Sequence, residues 1–348
     1  MKGRGMTVIF AITHLIATMA CTYILTITAR GQPEEALRLI MVFFACTYGL
    51  QPVLGIIADA VNRNTLMAST GCVLICLGYF LMRNPLAVAA VCGSGMAAFY
   101  VGAGLDVVNT SDRKVHLLAI FLSPDLIGIY HGLIWEKVSD WHYLIPAIVL
   151  FVMAVFALFA SSLNRRELRS GNAKISWSEF RCGKNLLGLA ALVIVAGIAP
   201  VFIVRQIHAG GQAAMLTLVG AICFMTGKIV GGFLADILGA DKVASAAVVL
   251  TGISSSIYVA TDSQALALAA IFFAGMLLPI TLWTVSRIFY GTKGFVMGLV
   301  SLVWGLSFFC TARSRYEPEP VFLLLASLVC VVLIQFASAQ TEERRNAS

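Results

Sequence analysis

The stretch Gly55-Ile56-Ile57-Ala58-Asp59-Ala60-Val61-Asn62-Arg63-Asn64 has a counterpart in Gly232-Phe233-Leu234-Ala235-Asp236-Ile237-Leu238-Gly239-Ala240-Asp241-Lys242. Gly55 and Gly232 stand 177 residues apart, as do Asp59 and Asp236, and that interval is close to half of the 348-residue chain. Internal symmetry on this scale marks a protein built from two repeated bundles. A fainter echo, Gly95-Met96 and Gly275-Met276, has the same sense.

Each stretch closes a long apolar run, and the composition shows why such runs dominate. Apolar residues make up 59% of the chain and charged residues 12%, with a mean hydropathy of +0.91, whereas soluble domains run about 45–50% apolar and about 25% charged. A membrane-crossing helix needs about 20 apolar residues, so twelve would consume roughly 240 and leave roughly 108 for every loop and tail. A soluble catalytic domain has no room. Runs broken by charge, Pro and Gly predict twelve spans near 6–28, 36–58, 65–82, 86–105, 117–135, 143–163, 185–204, 212–236, 243–260, 264–288, 295–312 and 320–338. The first is too long for a secretory signal and has no small-residue cleavage site after it. Gly31-Gln32-Pro33-Glu34-Glu35 is a helix start, since Pro and carboxylates suit a first turn. Eight of the nine cysteines lie in apolar runs and read as small hydrophobes, not as a disulfide or metal framework.

The net charge of +7 is a topology signal and not a nucleic-acid footprint. With the amino terminus inside, Arg30, Arg38, Arg83, Lys137, Arg205, Arg313 and Arg315 fall outside, Lys228 stays within a span, and the rest of the 24 Lys and Arg fall inside. Both termini are therefore expected in the cytoplasm. The longest connection, Asn164 to Lys184, divides the chain into bundles over 1–163 and 185–348 and reads as a cytoplasmic linker over 164–184, held by anionic headgroups.

The paired stretches resemble the loop motif of the major facilitator superfamily, Gly-x-Leu-Ala-Asp-x-x-Gly-Arg-Lys, in both halves. The first copy has Asn62 in place of Gly and keeps Arg63; the second keeps Gly239 but has Ala240 and Asp241 in place of the basic pair. Gly93-Ser94-Gly95-Met96-Ala97-Ala98-Phe99-Tyr100-Val101-Gly102 looks like the fourth helix of the fosmidomycin-resistance type of exporter, with Tyr100 where a His is expected. The resemblance implies an all-α polytopic fold of two six-helix bundles, with Gly55, Asp59, Arg63, Gly232, Asp236 and Gly239 as the gating motif. It also implies proton coupling and export. A carboxylate at one helix end favours the positive start of a helix in the opposite bundle, so Asp59 should face the eleventh span near Gly294, and Asp236 the fifth near His116.

Asp125 in the fifth span and Lys228 in the eighth are the ionisable residues read as deep in the membrane, where a charge costs about 2.5–3.5 kcal/mol on the translocon scale. Each stands eight residues from the inner end of its span, so at about 1.5 Å per residue both sit at roughly the same depth. In the implied fold these helices meet across the two bundles, and an Asp125–Lys228 ion pair is expected to make and break as access alternates. Gly128-x-x-x-Gly132 and Gly227-x-x-x-Gly231 are read as the small faces that let the two helices approach. His14, Tyr100 and Trp283 are candidates for the wall of the path, against the alternative that each is a packing residue. His131 is six residues from Asp125, too far around and along the helix for shared metal ligation.

No phosphate loop, zinc-hydrolase, serine-hydrolase or paired Cys-x-x-Cys pattern occurs. The expected protein is a secondary active transporter of the cell inner membrane, a monomer without cofactor or metal, acting on a small-molecule substrate within the lipid bilayer and not on nucleic acid. The alternative is a transporter-like membrane sensor or scaffold without net transport.

Overall fold

A computed structural model of the chain describes residues 2–29, 31–111, 114–135, 144–163, 175–208, 217–313 and 318–347. Twelve helices among them are long and apolar enough to cross a membrane. They are α1 (Arg4–Ala29), α2 (Pro33–Val61), α3 (Asn64–Leu81), α4 (Pro85–Thr110), α5 (Val115–Trp135), α6 (Ile145–Ser162), α7 (Gly183–Phe202), α8 (Leu218–Leu238), α9 (Ala240–Thr261), α10 (Gln264–Ile288), α11 (Tyr290–Thr311) and α12 (Pro320–Ala339). Residues 164–174 of the linker, and the loop charges Arg30, Arg113, Lys137, Arg165, Arg166, Arg169, Lys174 and Arg315, lie outside the described residues.

Local chemistry sets the helix ends. Pro33 opens α2, followed by Glu34 and Glu35 in its first turn, where a missing N–H is harmless and negative charge meets the helix dipole. The side chains of Asn84 and Thr217 cap α4 and α8 by accepting from the amides of Ala87 and Gly220. Asn62 ends α2 in the left-handed conformation at φ 51°. Asn is the side-chain-bearing residue that most readily takes the place of Gly there, which explains the departure at this motif position. In the second copy Gly239 holds the corresponding turn at φ 104°.

Three spans are interrupted at proline. α2 kinks at Leu50 into α2a (Pro33–Gly49) and α2b (Gln51–Val61), two residues ahead of the missing Pro52 amide. α10 breaks at Met276 into α10a (Gln264–Gly275) and α10b (Leu277–Ile288), ahead of Pro279. α5 breaks at Ser123–Pro124 into α5a (Val115–Leu122) and α5b (Asp125–Trp135). Such breaks survive at membrane depth only where neighbouring groups satisfy the released backbone.

The helices form two six-helix bundles. α1 packs on α4, α5 and α6 while α3 packs on α4 and α6; α7 packs on α10, α11 and α12 while α9 packs on α10a and α12. Contact between bundles runs through α2b with α11, α8 with both halves of α5, and α10b with α5a. Because successive spans alternate in direction, the start of α1 and the end of α12 share one face, called here the terminal face. Asp59 and Asp236 stand on it.

Candidate functional site

The break in α5 organises the centre of the molecule. Pro124 has no amide to offer Ile120 O, and the Ser123 hydroxyl donates to that carbonyl instead, at 2.9 Å. The Asp125 carboxylate accepts from the Leu126 amide at 2.8 Å, so the carbonyls of Phe121 and Leu122 look outward for donors. His14 Nδ1 donates to Phe121 O at 2.8 Å, and Lys228 Nζ donates to Leu122 O at 2.8 Å. Two side chains from two other helices thus close the gap that the proline opens.

Lys228 completes its coordination with Asp125 Oδ2 at 2.5 Å and lies 4.3 Å from the centre of the Phe224 ring. The lysine side chain is fully buried, while 21% of the Asp125 side chain remains accessible. The structure therefore brings together the two intramembrane charges, one from each bundle. His14 is also fully buried. A carbonyl can only accept, so its Nδ1 carries a proton; in the neutral ring Nε2 then accepts from the Tyr100 hydroxyl, 2.9 Å away. The Tyr100 and His14 rings meet edge to face at 4.9 Å.

Next to this cluster a cavity of about 30 Å³ lies between the bundles, bordered by Gln51, Tyr100, Phe121, Leu122, Leu282 and Ser301 among others. It has room for a water molecule. Trp283 is not in its lining; the ring is half-buried with the Arg287 guanidinium 5.8 Å from its centre.

The glycine pairs do not mediate the approach of α5 to α8, which corrects the sequence reading. A Cβ at Gly128 or Gly132 would strike Leu15, Thr18, Met19 and Thr22 of α1, and one at Gly227 or Gly231 would strike Phe272 and Met276 of α10. Each stripe faces a helix of its own bundle. The glycine that seats α8 on α5 is Gly232, where a Cβ would meet His116 and Ala119. Its counterpart Gly55 lies against the backbone of Gly294 and Phe295 in α11. Spacing identifies a small face but not the neighbour it meets.

At the terminal face Asp59 accepts from the amides of Gly294 at 2.9 Å and Phe295 at 3.1 Å. Asp236 accepts from Val115 N at 2.6 Å and His116 N at 3.3 Å, and its carboxylate lies 2.5 Å from His116 Nδ1. The His116 ring stacks on Phe233 at 4.6 Å. Both carboxylates thus reach across to the start of a helix in the opposite bundle and tie the two bundles together at the terminal face. Arg63 is exposed, and its guanidinium makes no hydrogen bond or ion pair among the described residues.

Two polar contacts were missed by the sequence reading. Asp106, buried in α4, accepts from Thr65 Oγ1 at 2.5 Å. Lys293, buried at the start of α11, donates to Asn109 at 2.9 Å and lies over the Tyr290 ring at 4.1 Å. Ending the fourth span at 105 placed Asp106 in a loop. The run Val107-Val108 just beyond it is the signal that the helix continues.

No family model matches the chain, and a search of curated proteins finds no match. Solved structures do resemble it. The E. coli fucose:proton symporter FucP superposes with a TM-score of 0.68 at 13% identity, over 97% of this chain and 98% of that one. FucP in the outward conformation gives 0.67 at 14% with the same coverage. A bacterial homologue of the iron transporter ferroportin in the outward-facing state gives 0.63 at 12%, again over 97% and 98%. The chain therefore has the major facilitator fold.

Proposed function

We propose that this protein is a secondary active transporter that moves a small solute through the membrane by alternating access, with proton coupling at Asp125 and Lys228. The observation that carries this reading is a fully buried lysine paired with an aspartate of the other bundle at a broken helix beside a central cavity. An ion pair at this depth is a costly way to hold helices together, because well-packed hydrophobic residues do so without desolvating charge. Its use is in being breakable. Protonation of Asp125 removes the counter-charge from Lys228 and leaves the ammonium with a carbonyl, so the contact between α5 and α8 weakens when a proton arrives and reforms when it leaves.

In this cycle the bundles 1–163 and 185–348 rock about the pair, joined by the linker 164–184, and the gates at Asp59 and Asp236 hold one face closed. The positive-inside bias supports a cytoplasmic terminal face and both termini in the cytoplasm of an inner-membrane protein. On this reading the closed terminal face is the cytoplasmic one. The likeness to a fucose:proton symporter supports proton coupling by analogy of fold; the Gly93 to Gly102 resemblance favours export. We assign the protein no catalysis, cofactor or nucleic-acid partner, and read it as a monomer. His14 orients the site by holding the broken backbone, Tyr100 fixes the His14 ring from its other nitrogen, and Trp283 is left as packing.

The test is solute accumulation in proteoliposomes under an imposed pH gradient, with solutes first selected by thermal stabilisation of the protein. Asp125→Asn and Lys228→Met should each lower gradient-driven flux at least about tenfold, the loss of one intramembrane partner exceeding about 1.4 kcal/mol. The exchange Asp125→Lys with Lys228→Asp should recover part of it. Binding without gradient-dependent accumulation would overturn the reading in favour of a transporter-shaped sensor or scaffold.

A further inference from the structure

The kink in α2 gives its two halves different neighbours. α2a lies along α4 of its own bundle, whereas α2b lies mainly along α11 of the other, where Gly55 and Asp59 hold it against Gly294. α2b therefore leans away from α3 while still touching α4, and a wedge-shaped groove of about 360 Å³ opens between α2b and α3 over α4. That volume falls within the range of small-ligand clefts. Leu54 and Ile57 form one wall and Leu66 and Leu74 the other, with Ser94 and Ala98 of α4 between. The lining is nearly all apolar, and one cation, Arg63, stands at its terminal-face end. This arginine is exposed and has no acceptor among the described residues.

An apolar slot open along its length, headed at the depth of the terminal face by a guanidinium with no acceptor among the described residues, matches one class of molecule. We propose that the groove binds an anionic phospholipid, with an acyl chain between α2b and α3 and the phosphate on Arg63. Arginine suits this role because its planar fork offers paired donors to phosphate oxygens. The lipid acts as a wedge. It fills the space created when α2b leans on α11, and so favours the state in which Asp59 reaches Gly294 and the terminal face is shut. The site lies outside the central cavity and does not depend on what the protein carries.

The experiment is native mass spectrometry of the purified full chain, offered phosphatidylglycerol and phosphatidylcholine with identical acyl chains. Wild-type protein should retain one lipid, with phosphatidylglycerol preferred about fivefold, the value of one basic residue at a headgroup. Arg63→Gln should abolish the preference. Thr70→Trp, at an exposed position on the groove wall, should remove both lipids. Asp59→Asn should lower retention, because the groove closes when α2b is released from α11. Equal retention of the two lipids by the wild type overturns the proposal without recourse to any variant. An unchanged preference in Arg63→Gln, displacement of the lipid by glycerol phosphate alone, or a dimer in place of the lipid-bound monomer also overturns it; full retention in Asp59→Asn overturns the wedge.

Discussion

Replacing Asp59 by Asn should open the terminal face, and the structure sets the size of the effect. Asp59 is buried and accepts from two amides at the start of α11. Asn keeps one acceptor oxygen but loses the charge and turns an N–H₂ towards a donor. A charge-assisted bond to a partly buried helix start contributes about 2 kcal/mol, which is about thirtyfold in the ratio of closed to open molecules. If the closed state leads by only a few kcal/mol, as two-state proteins commonly do, the variant spends a large share of its time open. Asp236 has a further partner in His116 but stands in more contact with solvent, and screening reduces its share to about 1 kcal/mol, or about fivefold. Spin labels at Val61→Cys and Ile237→Cys, exposed positions at the terminal-face ends of α2 and α8, report the separation of the bundles by pulsed electron resonance once the exposed thiols Cys182 and Cys310 are replaced. The long-distance population should rise in both variants, more in Asp59→Asn. Unchanged distributions, or a larger shift in Asp236→Asn, would refute the assignment of these contacts as the gate.

Two further substitutions test parts of the site by thermal unfolding in detergent. His14→Phe leaves Phe121 O without a donor in a buried place and should destabilise by about 1–3 kcal/mol, whereas Tyr100→Phe, which leaves only a ring nitrogen unpaired, should cost about 1 kcal/mol. Asn62→Val forces a β-branched residue into the left-handed region and should cost about 1–2 kcal/mol more than Asn62→Gly, which removes the same side chain but keeps the conformation accessible. Equal effects within either pair would contradict the backbone roles given to these residues.

The contacts of Asp59 and Asp236 across the bundles were legible in the sequence because they depend on identity at a fixed interval. Gly55 and Asp59 recur as Gly232 and Asp236, and a repeated residue at a repeated helix end implies a repeated contact. The meeting of Asp125 with Lys228 could be anticipated because so few charges enter the spans and these two lie at one depth. What escaped was whatever depends on the path of the backbone. Pro124 identifies itself as a helix breaker, but the donors that answer the break, His14 and Lys228, lie 107 and 106 residues from the carbonyls they meet. The spacing of the glycine stripes marks a small face but not its neighbour, which is α1 or α10 and not the facing helix of the other bundle. Asp106 escapes because a charge at the end of an apolar run reads as the end of the helix that in fact contains it.

The break at Ser123–Pro124 also bears on leakage. When Lys228 withdraws from Leu122 O and Asp125, the proposed cycle leaves an ammonium and a carbonyl bare in the membrane interior unless something else meets them. A carrier that returns empty, with no proton on Asp125 and no solute, meets that full penalty and rarely completes the turn. In the proposed cycle a single proline, by making the backbone depend on a mobile charge, thus opposes futile cycling, and the size of that penalty sets how tightly solute and driving ion are bound to move together.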